Sequence, residues 1–261
     1  MNTAREYAVP LRPGTPIPVR TSGIVPTDAA AMIHEHLAPI LGALAPHTRV
    51  RLTRLPEPGL RRPLVAQIDV QLTAGRRIRA QVAAATMFDL VDQLATRTIG
   101  QLRLFPDTLA DCLRDHFAGA LPPAPPELLP PDRRRVARRK ACVPAATTVD
   151  EAIAALEAMD YRFHLFQEKY SRQDSIVVRT GPRRYRLVQI RPNPIGLEVT
   201  SPQIALTAAE RCSLPIATAH LDLTGAPFTI FTEKRSGRLH ALYARYDGHY
   251  ALLTAAQAAI R

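Results

Sequence analysis

One stretch of this sequence occurs twice and decides the fold. FHLFQEKYSRQDSIVVRTGPRRYRLV starts at Phe163, FTIFTEKRSGRLHALYARYDGHYALL starts at Phe228, and the two align without a gap at an offset of 65 residues. The Glu-Lys dipeptide at Glu168 recurs at Glu233 in the same register. Self-similarity of this kind indicates a duplicated unit. Each copy predicts an alternating strand, a polar turn, a second strand and a short third strand that contains a tyrosine.

Each copy is too small to bury its own sheet well, so we expect it to pair with another such unit, within one chain or between chains. A capped helix is predicted for TTVDEAIAALEAM before copy one, and SLPIATAHLDL occupies the corresponding place in copy two. The simplest interpretation of the repeated aromatic residues is that they are core residues, although they could equally form a pairing surface. The candidate pairing residues are Phe163, Phe166, Val178, Tyr185, Phe228, Phe231, Tyr243 and Tyr250.

The upstream segment alternates between helical and strand periods. PTDAAAMIHEHLAPILGAL predicts a helix, and HTRVRLTRL, LVAQIDVQL and GRRIRAQVA alternate with a period of two, which predicts strands with one wet face. TMFDLVDQLATRTIGQLRLF returns to helical spacing through Phe88 and Val91, with Leu94 at the edge of the stripe. With PIPVRT as a short first strand, the order is β-α-β-β-β-α, and two helices cover one face of the sheet.

These patterns predict an α+β protein with two small tandem α/β repeat domains packed as a pseudo-dimer after the first domain. Proline fixes its own φ and lacks a backbone donor, so the run from Pro122 to Pro131 predicts an extended connector. The predicted layout is a flexible N-terminus at 1–15, a β-α-β-β-β-α domain at 16–106, a Pro-rich basic linker at 107–135, copy one at 136–192 and copy two at 197–261.

The formal net charge of +11 favours a polyanionic partner over a membrane. The arginines cluster on the wet strand phase, in adjoining turns and after the prolines, and few aromatic residues accompany them, which favours recognition of folded RNA through phosphates and shape. The alternative for each cluster is an ordinary solvated surface. The candidate RNA-binding residues are Arg49, Arg51, Arg54, Arg61, Arg62, Arg76, Arg77, Arg79, Arg97, Arg103, Arg133, Arg134, Arg135, Arg138, Arg139 and Lys140.

No motif of covalent catalysis appears in the sequence. His34 and His36 are two positions apart on a predicted helix and point to different faces, so they do not form a metal site. The three widely spaced cysteines fit neither a disulfide framework nor a zinc site and indicate a reducing compartment. We therefore expect no catalysis, cofactor, metal, small-molecule substrate or membrane partner, and without a signal peptide we expect a cytoplasmic protein.

The sequence resembles long-form ribosome hibernation-promoting factors. TTVDEAIAALEAMDYRFHLFQ and the ending YDGHYALL resemble the C-terminal domain of that family, and the β-α-β-β-β-α order resembles its N-terminal domain. The resemblance implies a stress or dormancy protein that binds the mRNA and tRNA channel of the small ribosomal subunit, mainly through rRNA, inhibits translation and stabilises inactive ribosomes.

The sequence departs from that family in carrying two C-terminal copies. In the family, one such domain per chain pairs with its counterpart on a second ribosome. A short connector gives two copies a high effective concentration, so we expect intramolecular pairing rather than a homodimer, and single inactive ribosomes. A second hypothesis makes the protein a transcription modulator that acts through protein contacts of the duplicated domains.

Overall fold

The computed structural model describes residues 17–41, 47–72, 75–105, 125–195, 197 and 203–256. The chain divides into two compact units, an N-terminal one and a C-terminal one that begins at Pro125. The predicted flexible N-terminus and most of the predicted linker lie outside the described residues. The predicted α+β class is confirmed.

The N-terminal unit is a four-stranded sheet with two helices. Its elements are β1 (Val19–Ser22), α1 (Ala29–Leu41), β2 (His47–Arg54), β3 (Leu64–Gln71), β4 (Arg77–Ala84) and α2 (Met87–Leu102), in sheet order β1-β2-β3-β4. β1 runs parallel to β2, and the other neighbours are antiparallel. Val50 and Ile68 on the inward phase share one core with Ile33 of α1 and Leu90 of α2. Both helices therefore cover the same face of the sheet.

The buried stripe of α2 is rotated from the predicted one. Leu90 and Leu94 are fully buried, whereas the side chain of Phe88 is 69% exposed. Thr86 caps the helix by accepting a hydrogen bond from the Asp89 backbone N–H at 3.2 Å. Met87 follows this cap and is buried, so the first turn places Phe88 towards solvent, and its predicted core position is wrong.

The C-terminal unit contains two similar α/β repeats. Repeat one consists of β6 (Ala146–Thr147), α3 (Val149–Ala158), β7 (Phe163–Glu168), β8 (Asp174–Gly181) and β9 (Arg184–Gln189), preceded by β5 (Val136–Cys142). Repeat two consists of β11 (Glu210–Cys212), α4 (Leu214–Thr224), β12 (Phe228–Glu233), β13 (Leu239–Ala244) and β14 (Tyr250–Ala255), preceded by β10 (Gln203–Ala208). The helices and the first two strands after them begin 65 residues apart, as the sequence alignment requires.

The two repeats exchange their leading strands. β5 precedes repeat one but pairs with β14 of repeat two, giving the sheet order β11-β12-β13-β14-β5. β10 precedes repeat two but pairs with β9 of repeat one, giving the order β10-β9-β8-β7-β6. Both exchanged strands are parallel to their partners. Each sheet is therefore completed by a strand that belongs to the other repeat in sequence.

A core shared by the two sheets fills the space between them. Leu165 and Ile176 of repeat one lie in the same buried cluster as Leu239 and Ala241 of repeat two. On the opposite faces, α3 covers the sheet of repeat one and α4 covers that of repeat two, each with its own core. The unit is thus layered as helix, sheet, sheet and helix, and every apolar sheet face is covered.

The repeated Glu-Lys-x-Ser segment forms the same turn in both repeats. The Glu168 carboxylate accepts hydrogen bonds from the backbone N–H groups of Tyr170 and Ser171, and Glu233 does the same after β12. These bonds lower the pKa of Glu168, although burial acts in the opposite direction. The residue after the serine has a left-handed backbone conformation in both repeats, with φ 59° at Arg172 and φ 64° at its equivalent Gly237. The repeated motif therefore encodes a turn rather than a reactive site.

Candidate nucleic-acid interface and repeat-pairing surface

The face of the N-terminal sheet opposite the helices carries the strand arginines. Arg49 and Arg51 on β2 and Arg77 on β4 are exposed, and Arg79 is half-buried. Sequence reasoning missed Arg20, which is exposed on β1 and lies beside Arg51 in the parallel register. The sequence pattern was sufficient to find Arg20, because PIPVRT is predicted as a strand and its alternation places Arg20 on the outward face.

One carboxylate lies among the described outward positions of these four strands. The Asp69 carboxylate accepts hydrogen bonds from Arg79 Nε at 2.7 Å and from the Gln67 amide at 2.6 Å. Arg77 Nη2 lies 3.7 Å from the same carboxylate. Asp69 therefore orients Arg79 and Arg77, while Arg20, Arg49 and Arg51 leave a net positive surface.

The remaining arginines of this unit lie elsewhere. Arg54 is the last residue of β2, and Arg61 and Arg62 lie in the β2–β3 loop. The guanidinium of Arg76 lies 5.3 Å from the ring centroid of Phe105, beyond the end of α2. Arg97 lies on α2 and Arg103 directly after it, so both belong to the helix layer rather than to the open sheet face. The structure thus separates the predicted set into a sheet group, a loop group and a helix group.

The structure divides the cations of the basic leader, the segment 125–142 that precedes repeat one, into two groups. Arg134, a predicted RNA contact, forms an ion pair with Asp222 of α4 and donates a hydrogen bond to the Leu129 carbonyl. The Arg134 side chain is only 14% exposed. Leu129 is buried, and its backbone N–H donates to Gly248 O at 3.1 Å. Arg134 therefore ties the end of the predicted linker to repeat two, and its side chain is engaged within the protein.

The other leader cations are exposed. Within the part of the chain that the structure describes, none of them forms an ion pair; they are Arg133, Arg135, Arg138, Arg139 and Lys140. The last three lie on β5, an edge strand that pairs only with β14. Sheet pairing therefore holds these cations on an ordered strand rather than on a free linker.

The candidate pairing residues fall into two groups. Phe163, Val178 and Phe228 belong to the core shared by the sheets, and the Phe163 ring centroid lies 5.5 Å from that of Tyr243. The second group, on the helix side of each sheet, is Phe166, Tyr185, Phe231 and Tyr250. The first group brings the two repeats together, whereas the second belongs to the core that each repeat builds with its own helix.

The two repeated tyrosines make equivalent buried clusters. Tyr185 donates its hydroxyl to Glu157 of α3 at 2.9 Å, and Arg179 pairs with that carboxylate at 3.0 Å. Tyr250 donates to Asp222 of α4 at 2.6 Å, beside the Arg134 ion pair. Burial, followed by these hydrogen bonds, raises the pKa of each tyrosine to about 12. These clusters join each third strand to its helix.

Further observations concern metal, thiol and membrane sites. Among the described residues, no group of three or more His, Cys, Asp or Glu side chains is arranged to hold a metal ion. Cys142 is half-buried and Cys212 buried, and both are free thiols, while Cys112 lies outside the described residues. No described helix is both long enough and apolar enough to cross a membrane.

Comparison with known proteins assigns the class of the repeats. A family model described as "Sigma 54 modulation/S30EA ribosomal protein C terminus" matches residues 131–187 and 205–252. The first match includes β5 and the second includes most of β10, so the family module contains the strand that the fold exchanges. Both repeats are therefore C-terminal modules of the S30EA ribosomal-protein type.

Two relatives from Mycobacterium tuberculosis, strains CDC 1551 / Oshkosh and ATCC 25618 / H37Rv, are each named "Dormancy associated translation inhibitor". Each is 32% identical over 215 residues, which covers 74% of this chain and 71% of the relative. The chain belongs to the ribosome hibernation factor family, which confirms the resemblance seen in the sequence.

Proposed function

We propose that this protein is a ribosome hibernation factor that inhibits translation by binding RNA of the small ribosomal subunit. Family membership supports the ribosome as partner. The observation that carries the mode of binding is the outward arginine face of the N-terminal sheet, where Arg20, Arg49 and Arg51 accompany the paired Asp69. A cationic sheet face of this kind suits phosphates, because it neutralises charge without reading base edges.

Binding in the mRNA and tRNA channel inhibits translation by occupancy alone. The protein then acts in the cytoplasm without catalysis, cofactor or substrate turnover. Arg54 at the end of β2 and Arg61 in the loop that follows extend the positive surface beside the sheet. Stabilisation of the inactive ribosome requires tighter binding to the assembled ribosome than to the free small subunit, because a ligand shifts an equilibrium only through its difference in affinity between the two states.

The two repeats pair within one chain in this proposal and leave single ribosomes. The support is the reciprocal exchange of β5 and β10, together with the shared apolar core between the sheets. A surface already covered within the chain is not available to a second chain. The domain layout predicted from the sequence is part of the same proposal.

The leader provides a second RNA contact in this proposal. Arg138, Arg139 and Lys140 lie on β5, which is ordered by pairing with β14 of repeat two. Repeat two is therefore the scaffold of a basic strand that precedes repeat one in sequence, even though repeat two itself carries little net charge. Loss of repeat two should remove this contact as well.

The test compares Arg49→Ser/Arg51→Ser with the control Lys234→Ser/Arg235→Ser, which removes two exposed cations from a turn of repeat two. Binding to purified small subunits is measured against salt concentration. Two lost phosphate contacts should flatten the slope of log K against log salt by about 1.4 to 1.8. The first variant should also lose inhibition in a cell-free translation assay, and the control should keep it. Equal slopes for both variants would exclude the sheet face as the RNA contact.

A further inference from the structure

Equivalent residues of the two repeats meet at the interface between the sheets. The ring centroids of Phe163 and Phe228, which are 65 positions apart, lie 5.2 Å from each other. Contact between equivalent residues is the mark of a two-fold interface, in which one patch meets its own counterpart. The C-terminal unit is therefore built like a dimer whose halves belong to one chain.

The halves differ in side-chain size at this interface. Val178 lies directly opposite Phe163 in the β7–β8 register, and its equivalent Tyr243 lies opposite Phe228 in the β12–β13 register. The Phe163 ring contacts Tyr243 edge-on. A pair of two first repeats would contain two valines at these positions, and a pair of two second repeats would contain two tyrosines. One pair would leave a void, and the other would be overpacked.

Two further positions show the opposite imbalance. Ile176 and Ile190 of repeat one correspond to Ala241 and Ala255 of repeat two, and all four belong to or pack against the shared core. At these two positions repeat one supplies the larger residue, whereas at the position of Val178 and Tyr243 repeat two does. Two copies of the same repeat would be crowded at one set of positions and loosely packed at the other, whereas cores are packed to nearly constant density.

The charged residues at this interface also differ between the two repeats. Asp174 is the first residue of β8 and lies on the same face of the strand as Ile176. Its equivalent in repeat two is the fully buried Leu239. Burial raises the pKa of Asp174, and the nearby Arg238 of repeat two acts against this rise. The equivalent of Arg238 is Gln173, so a pair of two first repeats would have two carboxylates at the interface and no arginine at the position of Arg238. Partly buried carboxylates without a cation are disfavoured.

We infer that the two repeats are complementary halves, each fitted to the other and mismatched to a second copy of itself. This inference rests on the proposed intramolecular pairing and adds its determinants, Val178 with Tyr243, the two isoleucine–alanine positions, and Asp174 with Arg238. Specificity of this kind comes from mismatches built against the wrong partner as much as from contacts with the right one. The faces that the two repeats use for pairing would then both be occupied within one chain.

The test exchanges one pair of equivalents in the full chain. Val178→Tyr and Tyr243→Val are made singly and together, and thermal unfolding is followed. Each single change should lower Tm by about 3 to 10 °C, since one overpacks the interface and the other leaves a void. The double variant exchanges the halves about the two-fold axis and should recover at least half of the summed loss.

The matched control exchanges an equivalent pair that does not face the shared core. Val177 and Leu242 are 65 positions apart and lie in the separate helix-side cores of the two repeats. Val177→Leu with Leu242→Val should show additive losses, because distant sites do not couple. Additive losses in the Val178 and Tyr243 series as well would overturn the inference.

A second measurement separates this inference from the proposed function. Sedimentation velocity of the wild-type chain at rising concentration should show a monomer throughout. A monomer whose Val178 and Tyr243 losses are additive would contradict complementarity while leaving intramolecular pairing intact. A concentration-dependent dimer would contradict the intramolecular pairing itself, and the inference with it.

Discussion

The cluster of Arg134, Asp222 and Tyr250 gives the sharpest prediction about stability. Asp222 on α4 accepts a hydrogen bond from the Tyr250 hydroxyl at 2.6 Å and pairs with the Arg134 guanidinium. Tyr250 is fully buried, and the Arg134 and Asp222 side chains are 14% and 25% exposed. Asp222→Asn keeps the shape of the side chain but removes its charge. Arg134 is then left as a mostly buried cation without a counter-charge.

The expected loss follows from two contributions. A hydrogen bond to a charged group contributes about 1.5 to 3 kcal/mol, and Asn retains part of the one from Tyr250. Breaking a fully buried ion pair costs about 3 to 5 kcal/mol, and the residual exposure of this pair reduces that cost. We expect Asp222→Asn to lower the free energy of unfolding by about 2 to 3 kcal/mol, and Tm by about 4 to 10 °C.

Two assays measure this change. Denaturant unfolding of the full chain gives the free energy, and tryptic cleavage between Pro125 and Arg135 reports whether the leader is released, since Arg134 also donates to the Leu129 carbonyl. Asp150→Asn, which removes an exposed carboxylate from α3, is the control and should cost about 0.5 kcal/mol or less. A loss for Asp222→Asn no larger than the control's, with unchanged leader cleavage, would refute the reasoning.

Three further predictions concern pH and the leader. The pKa values of Tyr185 and Tyr250 in the folded protein are raised from 10.0 to about 12, so the stability that these tyrosines contribute is complete below pH 10 and is lost between pH 10 and 12. The absorbance of tyrosinate should therefore appear together with unfolding. Tyrosinate absorbance in a fully folded protein would contradict this prediction. Burial lowers the pKa of His240, so the stability of the folded protein should fall as pH drops below about 6.5. In denaturant unfolding between pH 7.5 and 5, the free energy of unfolding of a His240→Gln variant should depend less on pH than that of the wild type. An unchanged pH dependence would exclude His240 as its source. Gly248→Ala places a Cβ 2.6 Å from Leu129 Cγ at φ 79° and should cost about 2 kcal/mol and release the leader to trypsin. Gly59→Ala at φ 92°, with nothing within 4 Å, controls for backbone strain alone, and equal losses for both would contradict the close approach.

The elements that a period can encode were predictable from the sequence. Alternation through Val50 and Leu52 indicates a strand with one buried face, and the structure buries both residues. The offset of 65 residues predicted two similar units, and it extends beyond the aligned stretch to the helix carboxylates Glu157 and Asp222 that bind the repeated tyrosines.

The exchange of leading strands was not predictable from local pattern. β5 reads VARRKAC, whose central residues are all exposed, so it shows no alternation of buried and exposed positions. Its place depends on backbone pairing with β14, a partner more than 100 residues away along the chain. The same long-range packing explains Arg134, which resembles its cationic neighbours in sequence but is tied to Asp222 by the fold.

Sedimentation of purified ribosomes with the full-length protein, followed by detection of the protein across the gradient, tests ribosome binding and intramolecular pairing together. The protein should migrate with single ribosomes or small subunits, and no ribosome pairs should accumulate. Protein on ribosome pairs would contradict the self-contained pairing of the two repeats. Protein left at the top of the gradient would contradict ribosome binding itself and favour the transcriptional hypothesis.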